Sequence, residues 1–392
     1  MSEFRQLFGD AEAPAGKVVR AIASIGSVSA NDLVKSTGLA RSTVSTLLTD
    51  LRERGIVVDG ETRSASFGRP TQMLSLNPIQ GFCAGVLLGL GEIRIIMCDL
   101  AHNVLSDTWF ELARDYSAND AAECVRRQLD VECAKLNIAV GELLGVGLAV
   151  SAPVSYEGRI LKGSVLPTWS GIYIAEAFSR TLDCPIYAEN ESHCGALAEM
   201  TWGVAVGEPN FVLFKFDLGV GGAIVIDRTV QRGAIGNAAE FGHITLNPQG
   251  PLCRCGNRGC LETYVGGYNL VRLVEDATNE KISIEQLVER ARAGDKQCSR
   301  LIEDAAEMAG WAMGITSTIL SPSLFVVAGK LASVGETFMS ALTRSFAKNA
   351  VQRTETAADV LVPNFVVGKF AGNDDTVLGA AALVLHQHGR VC

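Results

Sequence analysis

Three cysteines and a histidine fall within eighteen residues of this chain: His243, Cys253, Cys255 and Cys260. Cys-x-Cys-x4-Cys with a histidine ten residues upstream supplies four soft or borderline donors, enough for a closed tetrahedral zinc site. Gly256 and Gly259 lie between the second and third cysteines, where the chain must fold back around an ion. Two carboxylates, Glu240 and Glu262, bracket the ligands. A metal tying His243 to Cys260 also fixes where those carboxylates point. One structural zinc per chain is expected, with the carboxylates as the working groups. The alternative is three reduced core thiols and a core histidine.

The elements that must position this stretch belong to a long chain. At 392 residues it exceeds one ordinary core, and two or three domains are expected. Hydrophobic residues make up 48% and charged residues 20%, with 40 glycines, which fits a globular α/β protein. No apolar run reaches the ~18 residues of a membrane span, and the N-terminus lacks the hydrophobic region of a signal peptide. A cytoplasmic protein without membrane insertion is expected. The other cysteines are scattered singly and read as small, reduced, buried hydrophobes.

The net charge of −9 argues against nucleic acid for the chain as a whole. Residues 1–80, however, carry 9 Lys and Arg against 8 Asp and Glu, and the remainder carries 25 against 35. The acidic body would repel DNA and leave only the N-terminal segment to meet it. That segment, 1–76, reads as a small domain. Val18, Val19, Ile22 and Ile25 are spaced for one face of a first helix. A second helix fits Ala30–Thr37, with Ser29 as N-cap and Gly38 ending it. A third fits Arg41–Arg54, with Val44, Leu47, Leu48 and Leu51 on its apolar face. Its other face carries Arg41, Ser42, Thr43, Ser45, Thr46 and Thr49, small polar groups that can approach phosphates and base edges in a major groove. Asp59-Gly60 is a hairpin signal, followed by an extended stretch at Thr71–Leu76. A hairpin after a helix-turn-helix makes a winged helix, whose tip would lay Arg69 into a minor groove. Few cations lie here, so a homodimer or higher homo-oligomer on a two-fold operator is expected.

After Asn77-Pro78 the pattern turns to apolar strands and helices, including strands at Phe82–Leu88, Glu92–Asp99, His102–Phe110 and Phe211–Phe216. The Gly-rich run from Leu218 to Ala223 reads as a turn that lets backbone approach a ligand.

Glu240-x-x-His243, Cys253-x-Cys255-Gly-x-x-Gly-Cys260-x-Glu262 and an Asn190 flanked by acids resemble the ROK family, which holds sugar kinases and winged-helix repressors with a kinase-like body. The resemblance covers essentially the whole chain. It implies an α/β fold: an N-terminal winged helix-turn-helix, then a two-lobed body like actin and hexokinase (ribonuclease-H-like), with sugar between the lobes. The lobes are expected at 81–194 with the C-terminal helix 376–392, and at 195–375. The resemblance also implies that Asn190, Glu191, Glu240, His243 and Glu262 hold sugar hydroxyls.

Departures from the family pattern bear on activity. Where a family kinase carries Asp-x-Gly-Gly-Thr for ATP phosphates, this chain reads Leu87-Leu88-Gly89-Leu90-Gly91-Glu92. Asp217-Leu218 replaces the small residues of the second phosphate turn, and Glu191 replaces the catalytic Asp. One extra methylene displaces a carboxylate by about 1 Å, which can cost ~10²-fold in rate. The expectation is a sugar-responsive regulator, most simply a repressor of carbohydrate-utilisation genes, with operator DNA and a sugar or sugar phosphate as partners and no catalytic residue. The alternatives are an ATP-dependent sugar kinase and a regulator titrated by a protein partner.

Overall fold

The structure is a computed structural model describing residues 3–10, 12–63, 70–161, 165–166, 168–351, 363–370 and 374–386. Backbone contacts divide it into two units, Met1–Cys194 with Thr376–Cys392, and Gly195–Asp375.

The first unit opens with a helix absent from the sequence expectations, α1 (Glu3–Gly9). Phe4 and Phe8, one helical turn apart, are both buried, with ring centroids 5.8 Å apart. Three helices follow: α2 (Pro14–Ile25), α3 (Ala30–Thr37) and α4 (Arg41–Glu53). Ser29 caps α3 in a reciprocal pair with Asp32, and Gly38 ends it at φ 69°. Val18, Val19 and Ile22 are buried as their spacing requires, whereas Ile25 is exposed at the end of the helix. β1 (Val57–Arg63) and β2 (Thr71–Leu76) pair antiparallel. Gly60 lies inside β1, beside an irregularity in register between Asp59 and Thr62, so Asp59-Gly60 is not the hairpin tip. The tip, with Arg69, lies outside the described residues.

The module is fastened to the rest of its unit by side chains. His102 adopts φ 67° and its Nε2 lies 2.7 Å from the Ala23 carbonyl at the end of α2. Burial holds His102 below its usual pKa, so the neutral ring donates that bond. Arg5 donates to the Gly141 carbonyl, and Asn77 and Gln80 both donate to the Gly55 carbonyl.

Behind the module stand β3 (Phe82–Gly89), β4 (Glu92–Asp99), β5 (Val104–Glu111), α5 (Ala118–Lys135), β6 (Val146–Val150), α6 (Ile174–Ser179) and β7 (Ile186–Asn190). The strands form a sheet in the order β5-β4-β3-β6-β7, antiparallel through β3 and parallel from β3 to β7. Trp169, Phe178, Val125 and Leu129 fill one core against it. Helix α7 (Glu191–Trp202) then carries the chain out of this unit.

The second unit repeats the strand order. β8 (Phe211–Phe216), β9 (Val220–Ile226) and β10 (Thr229–Val230) run antiparallel. After α8 (Glu262–Val265), α9 (Gly267–Thr278), α10 (Ile284–Arg292) and α11 (Lys296–Leu320), β11 (Leu324–Ala328) pairs parallel with β8. α12 (Glu336–Asn349) and β12 (Asn364–Val367) complete the order β10-β9-β8-β11-β12. α13 (Asp374–His386) returns to the first unit, where it lies close to β3 and β6: a Cβ on Gly147 would stand 1.8 Å from the Ala380 carbonyl oxygen. The Gly-rich run reads differently from expectation, since Gly221 and Gly222 are within β9 and only 217–219 turn. Gly222 leaves room for the Phe241 ring, which stacks on Phe214 at 4.3 Å. Burying such a ring contributes about 1.5–3 kcal/mol and anchors the residue that follows Glu240.

Gly222→Ala would set a Cβ 2.3 Å from the Phe241 ring and 2.8 Å from the Leu213 carbonyl. The expected cost is about 1–3 kcal/mol, read as a lower urea midpoint; an unchanged midpoint would mean that Phe241 is not seated by this contact.

Candidate functional site

The segment from Glu240 to Glu262 has little regular structure: a short 3-10 turn at Phe241–His243 and isolated bridges pairing Thr245 with Cys260 and Leu252 with Arg258. Its convergence is chemical. Ligand atoms of His243, Cys253, Cys255 and Cys260 all lie within 4.8 Å of one another, a cluster that could hold one metal ion. Cys253 Sγ is 3.6 Å from His243 Nδ1, and Cys255 Sγ is 3.7 Å from Cys260 Sγ. Gly259 makes the fold-back possible: its φ is 63°, and a Cβ there would stand 1.7 Å from the Asn247 carbonyl oxygen. Burial pushes the Cys260 thiol up to about 12 and holds His243 below its usual value. Burial also raises Cys255, but hydrogen bonds from the Asn257 N–H and the neighbouring thiols outweigh it and leave that thiol low.

The carboxylates flank the cluster unequally. Glu240 follows Ala239, whose φ of 64° is rare for a residue with a side chain. Its Oε2 is 4.0 Å from His243 Nε2, the ring nitrogen turned away from Cys253. Glu262 is buried and accepts three hydrogen bonds from the protein. Arg254, between the first two cysteines, donates to it from Nε at 2.7 Å and from Nη2 at 3.3 Å, and the Val220 N–H donates at 3.2 Å. Sequence reasoning missed Arg254. Its position inside the Cys-x-Cys was visible, but nothing in the spacing marks a pairing with Glu262 eight residues on.

Asn190 and Glu191 belong to the first unit, at the junction of β7 and α7. Asn190 caps the helix: its Oδ1 accepts from the Ser192 N–H at 2.8 Å, and its Nδ2 donates to the Ala152 carbonyl at 3.1 Å. Ser151 Oγ donates to Glu191 Oε2 at 2.6 Å. His193 is buried against Glu189 at 3.1 Å.

The turns that follow β3 and β8 are also engaged by the protein's own groups. Gly89 pairs with Glu92 across the Leu90-Gly91 turn, with Gly91 at φ 79°. Tyr116 Oη donates to the Gly89 carbonyl at 2.8 Å, and burial, reinforced by Glu92, pushes its phenol well up. At the carboxyl ends of β8 and β11, Lys330 Nζ lies 2.7 Å from Glu285 and 3.7 Å from Asp217.

On α4, Val44, Leu48 and Leu51 are buried, and Arg41, Ser42, Ser45 and Thr46 are exposed together. Thr43 is half-buried. Arg41 Nη2 donates to Asn31 Oδ1 at 2.5 Å, tying the helix start to α3. Thr46 donates its hydroxyl proton to the Ser42 carbonyl and keeps acceptor lone pairs outward.

Comparison with known proteins follows this division. The ROK family profile matches residues 83–387, and that of the IclR helix-turn-helix domain matches residues 15–60. A xylose repressor of Caldicellulosiruptor bescii is 26% identical over 332 residues, covering 80% of this chain and 82% of its own. A glucokinase of Streptomyces coelicolor is 27% identical over 263 residues, covering 62% and 80%. Among solved structures, a ROK family transcriptional regulator, a homolog of the E. coli MLC protein, has a TM-score of 0.73 at 24% identity over 95% of this chain and 96% of its own. A ROK family glucokinase from Streptomyces griseus, in complex with glucose and AMPPNP, has a TM-score of 0.66 at 24% identity over 77% and 99%. A family match over most of the chain, joined to an N-terminal IclR-type helix-turn-helix, leads to one statement: this chain belongs to the ROK family.

Proposed function

We propose that this chain is a sugar-responsive, DNA-binding transcriptional repressor. The observation that carries the reading is the fusion, in one chain, of an exposed polar helix face on a helix-turn-helix with a ROK body. The similarity to a xylose repressor extends over 80% of the chain, against 62% for a glucokinase. Operator DNA meets Arg41, Ser42, Thr43, Ser45 and Thr46 in a major groove, with Arg69 on the wing. A homodimer, or a higher homo-oligomer, matches a two-fold operator. Arg41→Ala should weaken operator binding and reduce its salt slope by about one, with sugar binding intact. Equal DNA affinity in a fluorescence anisotropy titration would displace the interface from α4.

Sugar hydroxyls are the natural partners of Asn190, Glu191, Glu240, His243 and Glu262, because carboxylates accept from hydroxyls and a neutral sugar has no charge to offer. Zinc fits the cluster that frames three of them. With Zn–S distances of about 2.3 Å, tetrahedral edges come to about 3.8 Å, close to the 3.7 Å between Cys255 and Cys260. His243 would bind through Nδ1 and keep Nε2 towards Glu240, free to meet a hydroxyl. The ion serves there as a closed structural centre. Cys255→Ser, or verified zinc removal, should cut the affinity for D-xylose or D-glucose at least tenfold in calorimetry; unchanged affinity in zinc-free protein would sink the clamp.

Catalysis is not assigned to any residue. In the first turn, Glu92 brings negative charge where phosphates would need neutralisation, and Asp217 does so in the second. At the β8 and β11 ends, Lys330 is drawn to Glu285 and Asp217. A coupled ADP-release assay with hexoses should stay at background. Turnover lost in Glu191→Ala would instead favour the kinase reading, which the similarity to glucokinases motivates.

A further inference from the structure

Most of the Glu262 carboxylate's acceptor sites are already taken within its own unit. Arg254 bridges both oxygens from one side through Nε and Nη2, and the Val220 N–H takes a further site on Oε2. A carboxylate offers about four acceptor sites, so roughly one remains. The arginine fork is two parallel N–H donors on one rigid plane. Two vicinal hydroxyls of a sugar would present the same pair of donors to the same pair of oxygens. Both cannot occupy that edge at once.

The two partners differ in freedom. Glu262 is seated: its side chain is 9% exposed, and a Cβ on Gly219 would stand 2.9 Å from its Oε2. The main chain at Arg254 is also held, since it lies between Cys253 and Cys255 in a turn closed by Cys253 N to Asn257 O and Gly256 N to Cys253 O. The arginine side chain, at 44% exposed, is the part that can leave.

We propose that Arg254 is a specificity-determining residue: a tethered occupant of Glu262 that mimics a vicinal diol and is displaced by one. The inference rests on the sugar reading of Glu262 above and adds the ligand class. A sugar with two adjacent hydroxyls replaces both bonds of the fork, whereas a deoxy sugar lacking one of them replaces only half. Occupancy also sets the threshold concentration. If the closed pair is favoured ten to one, apparent affinity falls about tenfold below the intrinsic value.

Two measurements on the full-length, metal-loaded chain separate this proposal from the reading beneath it. Arginine side-chain NMR tests the pair without any ligand. The Arg254 Nε–H signal should be protected from exchange and lose that protection in Glu262→Ala; an unprotected signal in the unsubstituted chain would overturn the proposal. Calorimetry with D-xylose, D-glucose and D-glucose 6-phosphate then tests displacement. Arg254→Ala should bind the preferred probe about tenfold more tightly, with Arg254→Lys, which keeps the charge but cannot fork, in between. Metal content checks that each variant is folded. Equal or weaker binding in both variants would overturn the proposal, weaker binding marking Arg254 as a ligand-holding group instead. A protected signal with no binding of any probe by any of the proteins would sink the sugar reading of Glu262, and displacement with it.

Discussion

Twenty-three residues from Glu240 to Glu262 hold their shape with almost no ladder of backbone hydrogen bonds. The constraint on them is the convergence of one imidazole and three thiols within 4.8 Å. Such a segment pays the full entropy of ordering irregular chain, offset by turn bonds such as Leu246 N–H to Gly259 O and Leu261 N–H to Ile244 O, by the seating of Phe241 on Phe214, and by the side-chain donors brought to one point. Glu240 and Glu262 flank that point, and Arg254 lies between two of its cysteines, in a turn also closed by Cys253 N–H to Asn257 O and Gly256 N–H to Cys253 O.

The first unit uses a different device. Its helical module is bonded to the turns around the neighbouring sheet through His102 and Arg5, and the junction at Asn77 and Gln80 is tied back to the Gly55 carbonyl. Each of these side chains meets a backbone carbonyl, and a carbonyl at the end of a helix or turn is otherwise unsatisfied. The consequence is mechanical. A module held at several separate carbonyls follows the movement of the sheet that holds it, which a module on a free tether would not do. Ligand-dependent control of an operator needs such a connection, because a ligand shifts an equilibrium only by its differential affinity for two states.

Much of this was legible in the residues. Spacing of Val44, Leu48 and Leu51 placed α4, and Ser29 and Gly38 marked both ends of α3, because caps and apolar periodicity are local signals. The cluster was legible because a histidine with Cys-x-Cys-x4-Cys is a spacing that could hold a metal ion, and few other pressures produce it. Four things were not. Helix α1 is short, and its two buried phenylalanines look like scattered apolar residues until a partner surface exists. Asp59-Gly60 carries a hairpin signature but lies within β1, where the strand irregularity overrides local turn chemistry. Gly221 and Gly222 look like part of a turn that lets backbone approach a ligand and are strand residues, with Gly222 leaving room for the stacking of Phe241 on Phe214. Arg254 was invisible for another reason: a pairing across eight residues of irregular chain has no period to read.

In the proposed scheme the segment from Glu240 to Glu262 couples sugar to DNA. A four-way cycle measures that coupling: operator affinity of the full chain with and without its sugar, in the zinc-loaded and the zinc-stripped protein. A coupling free energy of about 1–3 kcal/mol, seen as a change in operator affinity of about fivefold or more in loaded protein and absent from stripped protein that still binds DNA, is the predicted result. The same sugar-dependent change in both forms, or none in the loaded form, would contradict the account.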